Sequence, residues 1–422
     1  MSKRKGCAMY DLLLKKAKLF GQSQGVFDVG IKGEKIACVG CELDEDAGWV
    51  VELDGKLVIP GFVDLHTHLE KTLTAHLVHN NSGTLEEAIG NFQEFLLGIS
   101  PEDIYKRARR AAEMAISQGT TAIRSHITVD PRIGLETIRS VLTVKRDLQK
   151  VVNIQVVAFP AQDPTGIKQE QLDLLRQAVS EGADLIGGCP TLDADYRRFT
   201  DLLFKLGTEL DVDIDFHVDE TDEPNVEALE YLAEKTITQE YQGRVTAGHL
   251  CSLSAVSDEV AERVIRKVRE AELNVVTLPS ANLFLMGRGD KQPIRRGVTR
   301  VRDLVEGGVS VSYASDNVRD PFRPFGNADL LEEALLTAQI VQMGSPAELE
   351  RILAMGTYNP AKAMKLPGYG LTSGCYADMV VLSATSPHEA IVSQAVKEMV
   401  FHRGKLIVTN SRQTQELWKG IQ

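Results

Sequence analysis

Eight short runs of nearly continuous apolar residues, rich in β-branched side chains, punctuate the chain at residues 57–65, 121–127, 153–159, 183–188, 212–217, 244–249, 273–278 and 309–314. Strands buried on both faces read this way, whereas a strand with one wet face alternates. Between most of the runs apolar positions recur every three to four residues, predicting helices over 103–118, 170–180, 198–210, 226–236 and 257–271. Strands alternating with helices predict a parallel sheet, and eight such units with right-handed crossovers close most economically into a (β/α)8 barrel. We therefore expect an α/β fold with a TIM-type barrel over residues 61–366. An open doubly wound sheet is the competing arrangement.

The flanks are patterned differently. Residues 8–60 hold short strand-like pieces around Gly21, Gly25, Gly30, Gly33 and Gly55, and residues 377–382 and 397–410 read as strands at the other end. Neither flank carries a core alone, so residues 1–60 and 367–422 are expected to pair into one small, discontinuous accessory β-sandwich domain.

Composition narrows the function classes. The 422 residues are 43% hydrophobic and carry a net charge of −12, which excludes a disordered chain and is the wrong sign for binding nucleic acid. The basic start at residues 1–6 is followed by no uninterrupted apolar segment, and no run reaches the roughly 18 apolar residues of a membrane span. The expectation is a cytoplasmic protein with a small-molecule substrate, no membrane and no nucleic acid. Six cysteines, at 7, 38, 41, 189, 251 and 375, are too sparse for a disulfide framework. Cys38 and Cys41 form a CxxC without a second ligand pair, so both are read as ordinary residues of a turn region.

The first barrel run ends in Val63-Asp64-Leu65-His66-Thr67-His68. Strand side chains alternate, so His66 and His68 face one side, about 7 Å apart along the backbone, close enough to share an ion. Of nine histidines, five (His66, His68, His126, His217, His249) lie at or near the C-terminal end of an expected strand, the face where barrel active sites sit. The eighth run adds Ser315-Asp316-Asn317, and the fifth adds Glu220 after His217. Three imidazoles and a carboxylate suit one divalent ion, Zn2+ or Fe2+, with an open position for water. Glu220 and Asp316 can divide the acid and base work, and His249 can orient the attacking oxygen without being a ligand. His126 reads equally well as a packed histidine, and Lys71 either contacts an acidic or carbonyl-bearing substrate or, as is more common at a strand-to-loop junction, is solvated or salt-bridged.

With Pro60-Gly61-Phe62-Val63-Asp64-Leu65-His66-Thr67-His68, then Asn359-Pro360-Ala361-Lys362-Ala363 and Gly374-Cys375-Tyr376-Ala377-Asp378-Met379-Val380-Val381, the chain resembles the amidohydrolase superfamily over nearly its whole length. It is most similar to the bacterial cytosine deaminases in Ser82-Gly83-Thr84-Leu85, in residues 154–160, in His217-Val218-Asp219-Glu220 and in residues 295–301. The resemblance implies metal ligands at His66, His68, His217 and Asp316, a proton-transferring Glu220, a water-orienting His249 and a homo-oligomer. Dinuclear members use a lysine at the end of strand four. Here Asp184-Leu185-Ile186-Gly187-Gly188-Cys189-Pro190 has none, which favours one metal.

The departures fall among the residues implied to bind substrate: Leu85, Gln162, Asn317 and Phe322. Ala161 stands where the family's substrate-reading glutamine is expected, with Gln162 one position later; Asn317 replaces an aspartate, and Phe322 a tryptophan. Deamination of cytosine is thus the leading expectation. Another aminated ring (isocytosine, a creatinine-like compound, an s-triazine or N-alkylammelide) is the alternative, and a non-catalytic scaffold the third reading.

Overall fold

The computed structural model describes residues 9–22, 25–43 and 46–413; the basic start and Cys7 lie outside the described residues. In chain order the strands are β1 (Tyr10–Leu19), β2 (Phe27–Lys32), β3 (Lys35–Gly40), β4 (Ala47–Glu52), β5 (Leu57–Pro60), β6 (Phe62–Thr67), β7 (Thr120–Val129), β8 (Asn153–Pro160), β9 (Leu185–Gly188), β10 (Ile214–Val218), β11 (Val245–His249), β12 (Asn274–Thr277), β13 (Ser310–Tyr313), β14 (Met379–Leu382), β15 (Lys397–His402) and β16 (Lys405–Thr409). Two compact units result, one from residues 1–61 and 368–422, the other from residues 62–367.

In the first unit, strands from both ends of the chain share one sheet in the order β16-β15-β14-β5-β1-β2-β3, with β4 also paired to β1. The long β1 joins two sets of partners. Leu12 and Leu14 pair with Ile31 and Val29 of β2, the register shifts between Leu14 and Ala17, and Lys18 and Leu19 then pair with Leu57 and Val58 of β5. Lys16, at φ +55°, marks the irregularity, as expected where a bulge lets one strand serve two groups of strands.

The second unit is the barrel. Strands β6 to β13 are parallel neighbours in sequence order. A bridge between Thr67 and Asp316 closes the ring at its C-terminal rim, with Asp316 N donating to His66 O at 2.8 Å. Every residue of β6, β7, β9, β10, β11 and β12 is buried, as the apolar runs required. The intervening helices cover them with one apolar stripe each. In Pro101–Ser117 the buried Ile104, Ala108, Ala111, Ala112 and Ala115 follow helical spacing, Ser100 caps the Asp103 amide, and Pro101 opens the first turn.

One expected run is two strands. Residues 57–65 split at Gly61: Leu57–Pro60 belongs to the accessory sheet and Phe62–Thr67 to the barrel. Both are fully buried, so hydrophobicity does not change across the boundary. Inside the barrel Arg124, only 2% exposed, is fully engaged. It donates to Asp215 Oδ2 at 2.9 Å, Thr246 Oγ1 at 3.0 Å, Gln155 Oε1 at 3.0 Å and the Ala363 carbonyl at 3.1 Å. A buried cation is tolerable only when so paired.

Candidate functional site

Strand alternation sends His66 of β6 and His68, the residue after β6, into the rim of the barrel, where His217 of β10 and Asp316, just past β13, meet them. His217 Nε2 lies 3.2 Å from His66 Nε2 and 3.2 Å from His68 Nε2. Asp316 Oδ1 lies 3.5 Å from His66 Nε2 and 3.3 Å from His68 Nε2. Ligands on arms of about 2.0–2.1 Å in a tetrahedral shell stand about 3.3–3.4 Å apart. The four atoms therefore have the spacing of a divalent-metal shell and are too crowded for four independent polar groups.

Electrostatics agree with that geometry. Burial, and then the neighbouring imidazoles, hold His66 and His217 well below the ordinary histidine pKa, and burial followed by Lys71 does the same for His68. All three are thus in the neutral, ligating form. Both oxygens of Asp316 are buried without a hydrogen-bond partner among the described residues, and burial raises its pKa. A cation is what such a carboxylate lacks. The donor set, three imidazoles and one carboxylate with no cysteine, fits Zn2+ or Fe2+.

Around these atoms stand the acid and base groups. Glu220 is 92% buried, and burial followed by the Asp316 carboxylate pushes it well above the usual carboxylate range. Its Oε1 is 3.3 Å from His249 Nδ1. Burial lowers His249 to about 4, so the ring is neutral. His249 (φ +75°) and Asp316 (φ +53°) both have left-handed backbone, a strain of about 1–3 kcal/mol each that persists only where the surroundings enforce it. For Asp316 the enforcing contacts are the closing bridge and Asp64, which accepts from Ser315 N at 3.1 Å and Ser315 Oγ at 2.5 Å.

His126 of β7 is packed against His66, ring centroids 4.1 Å apart, and its Nε2 is 3.1 Å from Asp215 Oδ1. A buried chain thus runs from Arg124 through Asp215 to the ring behind His66. Gly187 and Gly188, at the end of β9, admit no side chain: a Cβ would stand 2.1 Å from the Asp215 carbonyl oxygen at one and 2.4 Å from the Phe199 ring at the other. Cys189 follows, buried in the pocket wall, its thiol held protonated by burial. Cys38 and Cys41 are free, and the histidine clusters at ligand spacing, His66 with His217 and His249 and His66 with His68 and His126, contain no cysteine.

Leu85, Gln162, Asn317 and Phe322 all line the same recess as His68, His217, Glu220, His249 and Asp316. It encloses about 580 Å³, counting the part open to solvent, within the range of roughly 300–1,000 Å³ for small-molecule sites. Asn317 donates its Nδ2 to Asp320 Oδ2 at 2.8 Å, leaving its carbonyl oxygen as acceptor. Lys71 is half-buried. It lines the recess, makes no ion pair among the described residues, and its Nζ stands 4.6 Å from the Phe322 ring centroid and 5.7 Å from that of Phe92.

Several pocket residues escape a reading of strand ends. The helix Leu85–Leu96 brings Phe92 and Gln93 to the wall, with Gln93 Nε2 donating to the Gln162 carbonyl at 3.2 Å. Thr84 followed by Glu87 is a helix-start signal that would have found it, and Thr84 indeed caps the Glu87 amide. Glu70, fully buried, accepts from Thr128 N and Oγ1 at 3.2 and 3.0 Å and fixes the end of β7. Nothing in its sequence setting marks it.

Among the described residues no helix is long and apolar enough to cross a membrane. Residues 57–407 match the model of the amidohydrolase family. The chain is 31% identical to N-isopropylammelide isopropyl amidohydrolase of Pseudomonas sp. (strain ADP), covering 94% of this chain and 97% of that one. It is 31% identical to the pterin deaminase of Rhizobium rhizogenes over 83% of this chain and 80% of the relative. Its fold superposes on 5-methylcytosine deaminase from Klebsiella pneumoniae, liganded with 5-fluorocytosine, with a TM-score of 0.91 at 29% identity, covering 96% of this chain and all of that one. With the barrel, the histidine-rich rim and these matches over nearly its full length, the chain belongs to the amidohydrolase family.

Proposed function

We propose that the protein hydrolytically removes an amino group from a small nitrogen heterocycle of the cytosine type, cytosine and water giving uracil and ammonia. The observation that carries this reading is the convergence of three neutral imidazole nitrogens and the unpartnered Asp316 carboxylate in a recess that also holds Glu220 and His249. The names of the relatives support the class, since a 5-methylcytosine deaminase, a pterin deaminase and an N-isopropylammelide hydrolase all act on aminated rings.

A divalent ion held by His66, His68, His217 and Asp316 would lower the pKa of a water from about 15.7 towards 7. Glu220, whose carboxyl burial pushes well above the usual range, gives a proton to the ring nitrogen next to the amino-bearing carbon, making that carbon electrophilic. Asp316 receives the proton of the attacking water and passes it to the amino nitrogen, while His249 orients the attacking oxygen. A carbon–oxygen bond forms, the carbon–nitrogen bond breaks, the amine leaves neutral as ammonia, and the proton left on the added hydroxyl returns to Glu220 as the carbonyl forms. Gln93, Gln162 and the Asn317 carbonyl supply amide donors and acceptors for the ring edge, which offsets the missing glutamine at Ala161.

Lys71 favours a second reading. A lysine ammonium facing the recess without a carboxylate partner suits a ring with an additional oxo or oxyanion group, as in an ammelide-type s-triazine. Ammonia release by protein loaded with Zn2+ or Fe2+, assayed on cytosine, 5-methylcytosine, isocytosine, creatinine and ammelide at equal concentration, tests both. Preference for cytosine or its 5-methyl form is the expected result, and preference for ammelide moves the assignment to the second reading. Silence on every ring, with metal bound, overturns both.

A further inference from the structure

Asn282 is fully buried on the helix Pro279–Leu285, which follows β12, and neither the histidine pattern nor the mechanism above makes use of it. Its Nδ2 lies 3.1 Å from Nδ1 of His249. The helix that carries it is tied to its neighbour independently of His249: Ser280 Oγ donates to Glu333 Oε1 at 2.7 Å. The amide is therefore held against the imidazole and does not merely follow it.

A neutral imidazole has one N–H and one lone pair. Glu220 Oε1, 3.3 Å from the same Nδ1, would as a carboxylate call for a proton there, but the Asn282 amide N–H is the nearer neighbour at 3.1 Å and requires the lone pair on Nδ1, which puts the proton on Nε2. That nitrogen is buried with no hydrogen-bond partner among the described residues, and a ligand-capable nitrogen of His249 lies within 4.8 Å of those of His66 and His217. We propose that Asn282 is a positioning residue that locks His249 in its Nε2–H tautomer. His249 then donates a hydrogen bond to the attacking oxygen and neither takes its proton nor ligates the ion. The cluster His66, His217 and His249 is close enough to invite the opposite arrangement. With the amide reversed, Asn282 Oδ1 would call for a proton on Nδ1 and leave Nε2 bare, as a ligand or a base.

The inference rests on the aminohydrolase reading for its consequence in turnover, but the tautomer is measurable without substrate. The test is long-range 1H–15N correlation on the full chain, labelled with 15N-histidine and loaded with Zn2+, with His249 assigned by the loss of its signals in His249→Asn. The expected wild-type ring is the Nε2–H tautomer. In Asn282→Asp, a carboxylate that only accepts, the ring switches to Nδ1–H. Turnover of the best ring then falls at least 100-fold in kcat, with KM changed less than threefold and one zinc retained per chain. Asn282→Ala, which removes the donor and adds no acceptor, gives mixed tautomers and a smaller loss. A wild-type ring protonated at Nδ1 overturns the inference, as does an unchanged tautomer in both variants. A protein with the expected tautomers that turns over no heterocycle refutes the aminohydrolase reading alone.

Discussion

Replacing Gly248 by alanine should weaken metal binding without weakening the fold. Gly248 lies in β11, one residue before His249, and a Cβ there would stand 3.0 Å from Cε1 and 3.1 Å from Nδ1 of His66. Unbonded carbons settle at about 3.5–4.0 Å, so the His66 ring must retreat by about 0.5 Å. A metal shell tolerates departures of about 0.2 Å from its preferred distances, and disturbing groups behind a ligand typically costs about 10–100-fold in affinity. His66 has little freedom to yield, because His126 packs on its other side at 4.1 Å between ring centroids. The backbone itself accepts alanine, since Gly248 is absent from the positive-φ glycines, and loss of unfolded-state freedom by itself would add about 0.4–1 kcal/mol. Competition of Zn2+ against a chromophoric chelator reads the affinity, and thermal unfolding of the metal-free protein reads the fold. The expectation is a 10–100-fold weaker zinc affinity with a melting temperature within a few degrees of wild type. A zinc affinity within threefold of wild type would refute the assignment of His66 as a ligand whose position Gly248 protects.

Three further outcomes follow from the same geometry. Glu220→Gln keeps the size and position of the side chain but cannot transfer a proton, so turnover should fall about 100- to 10,000-fold while metal content, measured by atomic absorption, stays at one ion per chain; activity above a tenth of wild type sinks its role. Arg124→Met leaves the buried Asp215 without its cation and with only the His126 ring beside it, and removal of one partner of a buried pair costs about 3–5 kcal/mol, so the urea midpoint should drop sharply; a drop worth less than about 1 kcal/mol contradicts the pairing at 2.9 Å. Burial raises Glu333 to about 8, above an unfolded value of about 4.3. Between these values the native state holds more protons than the unfolded state, so this group's contribution to stability falls as pH rises. Glu333→Gln retains a partner for Ser280 and should therefore gain melting temperature relative to wild type as pH goes from 5 to 8. A difference independent of pH would show that Arg323, 3.5 Å away, keeps Glu333 ionised throughout.

The barrel was legible in the chain because each strand is buried on both faces and each covering helix on one, so period and continuity alone separate the two element types. The run 57–65 failed on the same principle. Pro60 and Gly61 divide two strands of equal burial that belong to different sheets, and hydrophobicity carries no mark of which sheet a buried strand joins. The chemistry-bearing residues at strand ends were legible because β-strand alternation and barrel topology together fix which side chains reach the rim. His66, His68, His217, His249 and Asp316 are gathered there by rules that do not depend on side-chain packing.

The rest of the pocket is built by a different logic, and for that reason it was hidden. Gln93 reaches the wall from a helix, Lys71 beside the Phe322 and Phe92 rings, and Asn282 through the rotation of a helix fixed by Ser280 and Glu333. Each of these placements depends on where neighbouring elements settle, and none leaves a period in the sequence. The division also sorts function. The groups proposed to act on the scissile bond sit on strands or within three residues of a strand's C-terminal end, where the ring of hydrogen bonds dictates their positions. Those available to recognise the ring sit on helices and loops, among them Gln93, Ala161, Asn317 and Phe322, while His66, His68, His217 and Asp316 have the spacing of a metal shell. Substitutions at Lys71 or Gln93 should therefore redistribute preference among heterocycles and leave metal affinity alone, whereas Gly248→Ala should weaken metal affinity and with it the turnover of every ring. Measuring both quantities on the same variants separates the two layers: a Lys71→Met protein that loses zinc would show that the recess and the metal shell are one structure, and that the rim cannot be read apart from its walls.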